Sequence, residues 1–281
     1  MLSGYKTRTA TTNHIDNEEE FTRHLQKNAA YTAKVLHVKS IFVGVLLLIA
    51  ALGVWQIVYV SGLVNPVFVS HPSAVVGSFF LLLTEAKIWI DVWSTFRAAF
   101  AALILGSAGG VIVGVFIYKF PPLRRGSRPL VAFLNALPRP AVAPIFLLWF
   151  GLGFFAKTFV ASTLVFFVIL LSTVAGLDDI DPDIQQLCDS LAIRPVQRLL
   201  LVELPAASSP IFAGLRLGAV LAILGVVVTE LVASYRGLGL AEAQATSAFN
   251  IPGAFAILVL MGLFAVVFDF ALGIVEKRWF S

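Results

Sequence analysis

The chain has 281 residues, of which 59% are hydrophobic and 13% charged, with a formal net charge of +4. Soluble domains carry about 45–50% apolar and 25% charged residues, so the composition excludes a soluble domain and defines an integral membrane protein, and the modest charge gives no reason to expect a nucleic-acid partner. Cys188 is the only cysteine, which excludes a disulfide framework or multi-cysteine metal site, and no Gly-Lys pair occurs, which excludes a P-loop and ATP hydrolysis by this chain.

Residues 1–39 form a polar segment with an acidic patch at Asp16 to Glu20 followed by scattered bases. It has no short apolar run with a small-residue cleavage site, so it does not read as a cleaved signal peptide. Phe21, Leu25, Ala29 and Leu36 give it a weak amphipathic pattern leading toward the membrane. The first dozen residues have a disordered composition.

Residues 40–281 read as one all-α membrane domain. Six apolar runs, near 40–61, 92–118, 129–150, 155–176, 206–234 and 253–275, can each cross a hydrocarbon core that needs about 20 helical residues. Between the first two, Pro66, Pro72 and Ser73 mark a turn. Ala74 to Leu83 then predicts a short apolar helix, too short to span and therefore interfacial or re-entrant.

The second run puts Gly106, Gly110 and Gly114 on one helical face, where small residues let another helix approach closely. The third is interrupted by Leu137-Pro138-Arg139-Pro140 and by Pro144. Proline removes an intrahelical donor and clashes with the preceding turn, which predicts an unwound segment. Such backbone at membrane depth is protein-buried or lines a cavity. Pro138, Arg139 and Pro140 are therefore candidate pathway residues, with a structural kink as the alternative.

The loop from Leu177 to Pro205 is the longest polar interruption between apolar runs. Asp181 can cap a helix and Pro182 suits its first position. Ile184, Leu187, Cys188 and Leu191 then fall at i, i+3, i+4 and i+7, one apolar stripe, with Gln185, Gln186, Asp189 and Ser190 on the other side. On that stripe the thiol of Cys188 is expected to be reachable by a maleimide. Arg194-Pro195 ends the helix, and Val196 to Leu204 predicts a second short helical run. The stripe fits either a groove on a partner protein or the lipid headgroup layer.

Ionisable groups within spans are few and costly, about 2.5–3.5 kcal/mol each on insertion scales. Glu230 lies toward the outer end of the fifth span and Asp269 within the sixth, with Lys277 or Arg278 as local partners. Arg97 and Arg216 lie near span ends, where Arg can snorkel. For Glu230 two readings stand: lining or gating a pathway, and structural pairing. The four histidines lie outside the apolar runs, so no intramembrane metal site or proton relay uses them.

An even number of spans puts both termini on one side. That side carries Lys6, Arg8, Arg23, Lys27, Lys34, Lys39, Lys119, Arg124, Arg125, Arg128, Arg194, Arg198, Lys277 and Arg278; the other carries Lys87, Lys157 and Arg236. The bias makes both termini and the 177–205 loop cytoplasmic.

The loop resembles that of permease subunits of ATP-driven (ABC) importers, whose motif runs Glu-Ala-Ala, three residues, Gly, nine residues, Ile-x-Leu-Pro. Val202, Leu204 and Pro205 fill its tail, Ala192 takes the Gly position, and Gln186, Leu187 and Cys188 take the Glu-Ala-Ala positions. Further matches are similar to the sulfonate, taurine and nitrate group: His71-Pro72-Ser73-Ala74-Val75, Thr95-Phe96-Arg97, Leu137-Pro138 to Pro144, and Leu148-Trp149-Phe150-Gly151-Leu152-Gly153. Gly214-Leu215-Arg216, Glu230, Arg236-Gly237-Leu238-Gly239 and Glu276 to Trp279 complete the series. Only the N-terminal forty residues fall outside it.

The resemblance implies a type I ABC importer permease of the bacterial inner membrane. Two permease subunits form the pathway, cytoplasmic ATPase subunits bind the coupling helices, and an extracytoplasmic binding protein delivers a small polar substrate of sulfonate, nitrate or vitamin-precursor type. It implies coupling residues Ile184, Gln186, Leu187, Cys188, Leu191, Ala192, Leu204 and Pro205, no catalytic residue, no metal and no cofactor. A stand-alone secondary transporter or channel is the alternative, though the spans show few acids, no His and no internal repeat. A membrane scaffold without transport leaves the broken third run without a use.

Overall fold

The computed structural model of the protein describes residues 42–65 and 68–279, which form helices joined by short turns. The polar segment 1–39, the first two residues of the first expected span and Pro66 lie outside the described residues. The chain divides into two units between Val64 and Asn65. The first unit contains α1 (Phe42–Val60), a single apolar helix of 19 residues.

The second unit begins with α2 (Pro72–Thr84), the expected short helix, with the Ala74 amide donating to His71 Nδ1 at 3.3 Å and Pro72 at its first position. α3 (Ala86–Lys119) has 34 residues, about 51 Å at 1.5 Å per residue. It starts at Ala86 rather than near 92, because nothing from Ala86 to Asp91 breaks a helix and Asp91 is buried against protein.

The third expected span becomes two helices, α4 (Pro121–Ala136) and α5 (Arg139–Phe150), whose segments Pro129–Ala136 and Ala141–Phe150 are inclined by 86°. The break falls on Leu137 and Pro138, both extended with ψ of 131° and 106°, and Leu137 is driven from the α region by the proline that follows it. Among the described residues five helices are thus long and apolar enough to cross a membrane, and the bent pair makes a sixth if it counts as one span.

The rest comprises α6 (Phe154–Asp178), α7 (Pro182–Ser190), α8 (Pro195–Arg198), a π-helical turn at Leu199–Glu203, α9 (Leu204–Ala206), α10 (Ser208–Val232), α11 (Leu238–Ser247) and α12 (Ile251–Trp279). The run expected from Val196 to Leu204 is therefore split by the π turn. α11 was not expected: its sequence has no clear apolar stripe, and its start reads as a turn.

The core is a three-helix contact of α3, α6 and α10, with Ala98, Ala102, Leu103, Val165, Ile169, Ala222 and Val226 buried together. The glycine face of α3 is what lets α6 approach. A Cβ on Gly106 would lie 2.6 Å from Val165 Cβ, and one on Gly110 2.8 Å from Ile169 Cβ. At one end of the bundle Leu177, Ile180 and Ala207 pack beside Val115 and Tyr118. At the opposite end Ile88 and Val92 of α3 pack with Leu238 of α11 and Ile257 and Leu260 of α12.

Candidate coupling loop and buried polar hub

α7 forms where predicted, with the Asp183 amide donating to Asp181 Oδ1 at 2.8 Å and Pro182 in the first position. Ile184, Leu187 and Leu191 are 40%, 59% and 64% exposed. Gln186 is exposed too. Cys188 requires a correction, for it is only 4% exposed and is buried by its own chain. Successive helical residues turn by about 100°, which puts Cys188 at the edge of the stripe nearest Gln185. Gln185 Nε2 donates to the Ile180 carbonyl at 3.2 Å, so that side is the one turned inward.

The helix closes in a Schellman motif: the Ala192 amide donates to the Asp189 carbonyl at 3.1 Å and that of Ile193 to the Cys188 carbonyl at 3.2 Å. Ala192, at the glycine position of the resemblance, is left-handed with φ of 48°. Leu204 and Pro205 open α9, and both line a cavity of about 320 Å³ with Leu200, Val111 and Ile211.

An ion network backs this loop. Glu203, buried in the π turn, lies 2.5 Å from Lys119 Nζ and 3.0 Å from Arg198 Nε, and Arg198 Nη1 lies 2.5 Å from Asp189 Oδ1. Arg124 pairs separately with Asp178 at 2.5 Å.

Glu230 is fully buried near the other end. Its Oε1 lies 2.6 Å from Lys157 Nζ, and Thr95 Oγ1 donates to the carboxylate at 2.9 Å. Lys157 also donates to Ser94 Oγ at 2.8 Å and to the Arg236 carbonyl at 3.1 Å. The first amides of α11 are taken by side chains: Gly237 donates to Asp91 Oδ1 at 3.1 Å, Leu238 to Thr95 Oγ1 at 2.9 Å and Gly239 to Glu230 Oε2 at 3.0 Å. Gly237 has φ of 137°, and a Cβ there would overlap the Glu230 carboxylate. The hub therefore satisfies the amides that a helix start leaves without partners.

Asp91 and Lys157 were missed by sequence reasoning. Asp91 sits just before the second apolar run and Lys157 near the start of the fourth, and a charge in that setting needs a partner. Asp269 lies 3.8 Å from Arg216 Nε rather than beside the expected Lys277 or Arg278, and Glu276 lies 3.4 Å from the same nitrogen. Arg97 stacks its guanidinium 4.6 Å from the centre of the Phe154 ring. Pro138 caps α5, while Arg139 and Pro140 open it. The break and the hub thus belong to different places in the fold. Among the described residues no three His, Cys, Asp or Glu side chains are grouped to hold a metal ion.

An all-helical bundle with a broken helix, a short amphipathic helix carried on a loop at one end and a buried ion-paired hub toward the other is the architecture of a transport permease. The chain belongs to the family of binding-protein-dependent transport system inner membrane components, whose model matches residues 106–281. It is a multi-pass inner-membrane protein. It is 32% identical over 230 residues to the riboflavin transport system permease protein RibX of Chloroflexus aurantiacus, covering 80% of this chain and 85% of that one. The putative aliphatic sulfonates transport permease SsuC of Bacillus subtilis is 25% identical, with 84% and 85% covered. The taurine transport system permease TauC of Escherichia coli is 25% identical, with 81% and 84% covered. A solved chain of the inward-facing MetNI methionine ABC transporter shares the fold at a TM-score of 0.63 and 19% identity, covering 69% of this chain and 98% of that one.

Proposed function

We propose that this permease is the membrane subunit of a type I ATP-driven importer and that α7 docks into a cleft on a separate cytoplasmic ATPase. The observation that carries the reading is the outward face of α7, where Ile184 and Leu187 on the nine-residue helix and Leu191 at its C-cap stand exposed. Lipid headgroups are the poorer occupant for that face. Asp178, Asp179, Asp181, Asp183 and Asp189 crowd residues 177–191, which hold no Lys or Arg, and the cytoplasmic leaflet is itself negative. The base distribution supports a cytoplasmic α7 and cytoplasmic termini.

Two copies of the chain form the pathway in this reading, within the lipid bilayer, and an extracytoplasmic binding protein delivers substrate. The break at Pro138, Arg139 and Pro140 is the part of the pathway that this chain contributes. Glu230, fully buried and ion-paired, takes the structural of its two roles. Gln186, Cys188, Ala192, Leu204 and Pro205 shape the docking helix and its return to the bundle, while the three exposed apolar side chains supply its contact. The substrate is a small polar molecule of sulfonate, nitrate or vitamin-precursor type, a range in keeping with the similarity to riboflavin, sulfonate and taurine permeases.

Copurification tests the reading. An ATP-hydrolysing chain should come down with the permease in mild detergent, and uptake into proteoliposomes should require ATP. A permease that purifies alone and transports on an ion gradient is instead the stand-alone transporter.

A further inference from the structure

The ion network under α7 and the hub at the start of α11 end on the same helix. Asp189 of α7 is held by Arg198, Arg198 by Glu203, and Glu203 by Lys119, the last residue of α3. Toward the other end of α3, Asp91 accepts from the Gly237 amide, and Thr95 accepts from Leu238 and donates to Glu230. From Asp91 to Lys119 the helix runs without a proline, about 42 Å at 1.5 Å per residue. Gly106, Gly110 and Gly114 seat this length of α3 directly on α6.

We infer that α3 is a connecting rod that carries displacement of α7 to α11, with Asp189, Arg198, Glu203 and Lys119 as positioning residues for transport. The inference rests on the docking of α7 proposed above. Its physical basis is a contiguous set of packed and charged contacts between the two ends. Glu203 is buried, and a buried charge that loses its partner is strongly penalised, so it holds Lys119 and Arg198 together when the loop moves. α11 in turn cannot slide along α3 without releasing two of its first amides. Together α3 and α11 wall a cavity of about 410 Å³ lined by Lys87, Asp91, Tyr235, Arg236 and Gln244. That polar cleft, at the far end from α7, is where the displacement arrives.

The test uses the permease with its copurified ATPase in nanodiscs, carrying a spin label at Gln244→Cys on α11 in a Cys188→Ser background. ATP with vanadate should change the label spectrum in this parent protein. Asp189→Ala cuts the chain at an exposed side chain and uncovers no buried charge. It should abolish the spectral change and lower ATP-driven uptake at least tenfold, while ATPase copurification stays at the parent level. Arg198→Gln should do the same, and Asp183→Ala, an exposed acid on the same helix outside the network, should leave the spectral change and uptake intact. An unaltered spectral change in Asp189→Ala overturns the rod. So does a fall in ATPase copurification that matches the fall in uptake, because it places Asp189 in docking. Failure of the parent protein to bring down an ATPase is a different result, for it removes the docking reading before the rod is tested.

Discussion

Lys157 Nζ and Glu230 Oε1 lie 2.6 Å apart with side chains 4% and 0% exposed, and the same carboxylate caps the Gly239 amide of α11. Removing one partner of such a pair leaves an uncompensated buried charge and costs about 3–5 kcal/mol. Glu230→Gln should therefore lower the amount of folded permease, measured as monodisperse protein recovered in detergent. Adding Lys157→Met should recover much of that yield. Wild-type yield for Glu230→Gln with uptake lost would instead put Glu230 in the pathway.

Cys188 reports on the packing of α7. Buried at 4% exposure, it should react with a maleimide at least tenfold more slowly in native detergent-solubilised permease than in urea. ATPase binding should change that native rate little, because the thiol faces its own chain. Rapid native labelling with strong protection by the ATPase would return Cys188 to the docking stripe.

Ala192 holds a left-handed conformation, φ of 48°, that glycine adopts without steric cost. The strain of a left-handed non-glycine residue is roughly 1–2 kcal/mol. Ala192→Gly should thus steady the end of α7, read as slower hydrogen exchange of the Ile193 amide, which donates to the Cys188 carbonyl. Faster exchange would show that the added chain freedom of glycine outweighs the relieved strain.

The proposed orientation rests on charge alone and is open to direct measurement. A reporter fused after Ser190 should report the cytoplasm, and one fused after Leu240 the opposite side. A cytoplasmic signal at Leu240 would overturn the six-span arrangement.

Much of the architecture was legible because long apolar runs, prolines and glycine spacing act locally. Asp181-Pro182 placed the start of α7, Leu137-Pro138 the break between α4 and α5, and Gly106 to Gly114 the contact face of α3. What stayed illegible depends on partners far away in sequence. α11 exists because Asp91, Thr95 and Glu230 take its first amides, and no local pattern announces that. The inward turn of Cys188 depends likewise on which edge of a broad stripe meets the bundle. Glu203 gained its two cations through a π turn, where one residue more per turn shifts every later side chain.

The most direct test of the account is ATPase binding by Leu187→Asp. Leu187 is 59% exposed at the middle of the α7 face. Burial of a leucine is worth roughly 1.5–3 kcal/mol, and a carboxylate in a dry groove costs more than the lost contact. Copurified ATPase should fall at least tenfold in Leu187→Asp, with the permease itself recovered at normal yield, and should stay unchanged in Gln186→Glu. Undiminished ATPase binding by Leu187→Asp would contradict docking through α7.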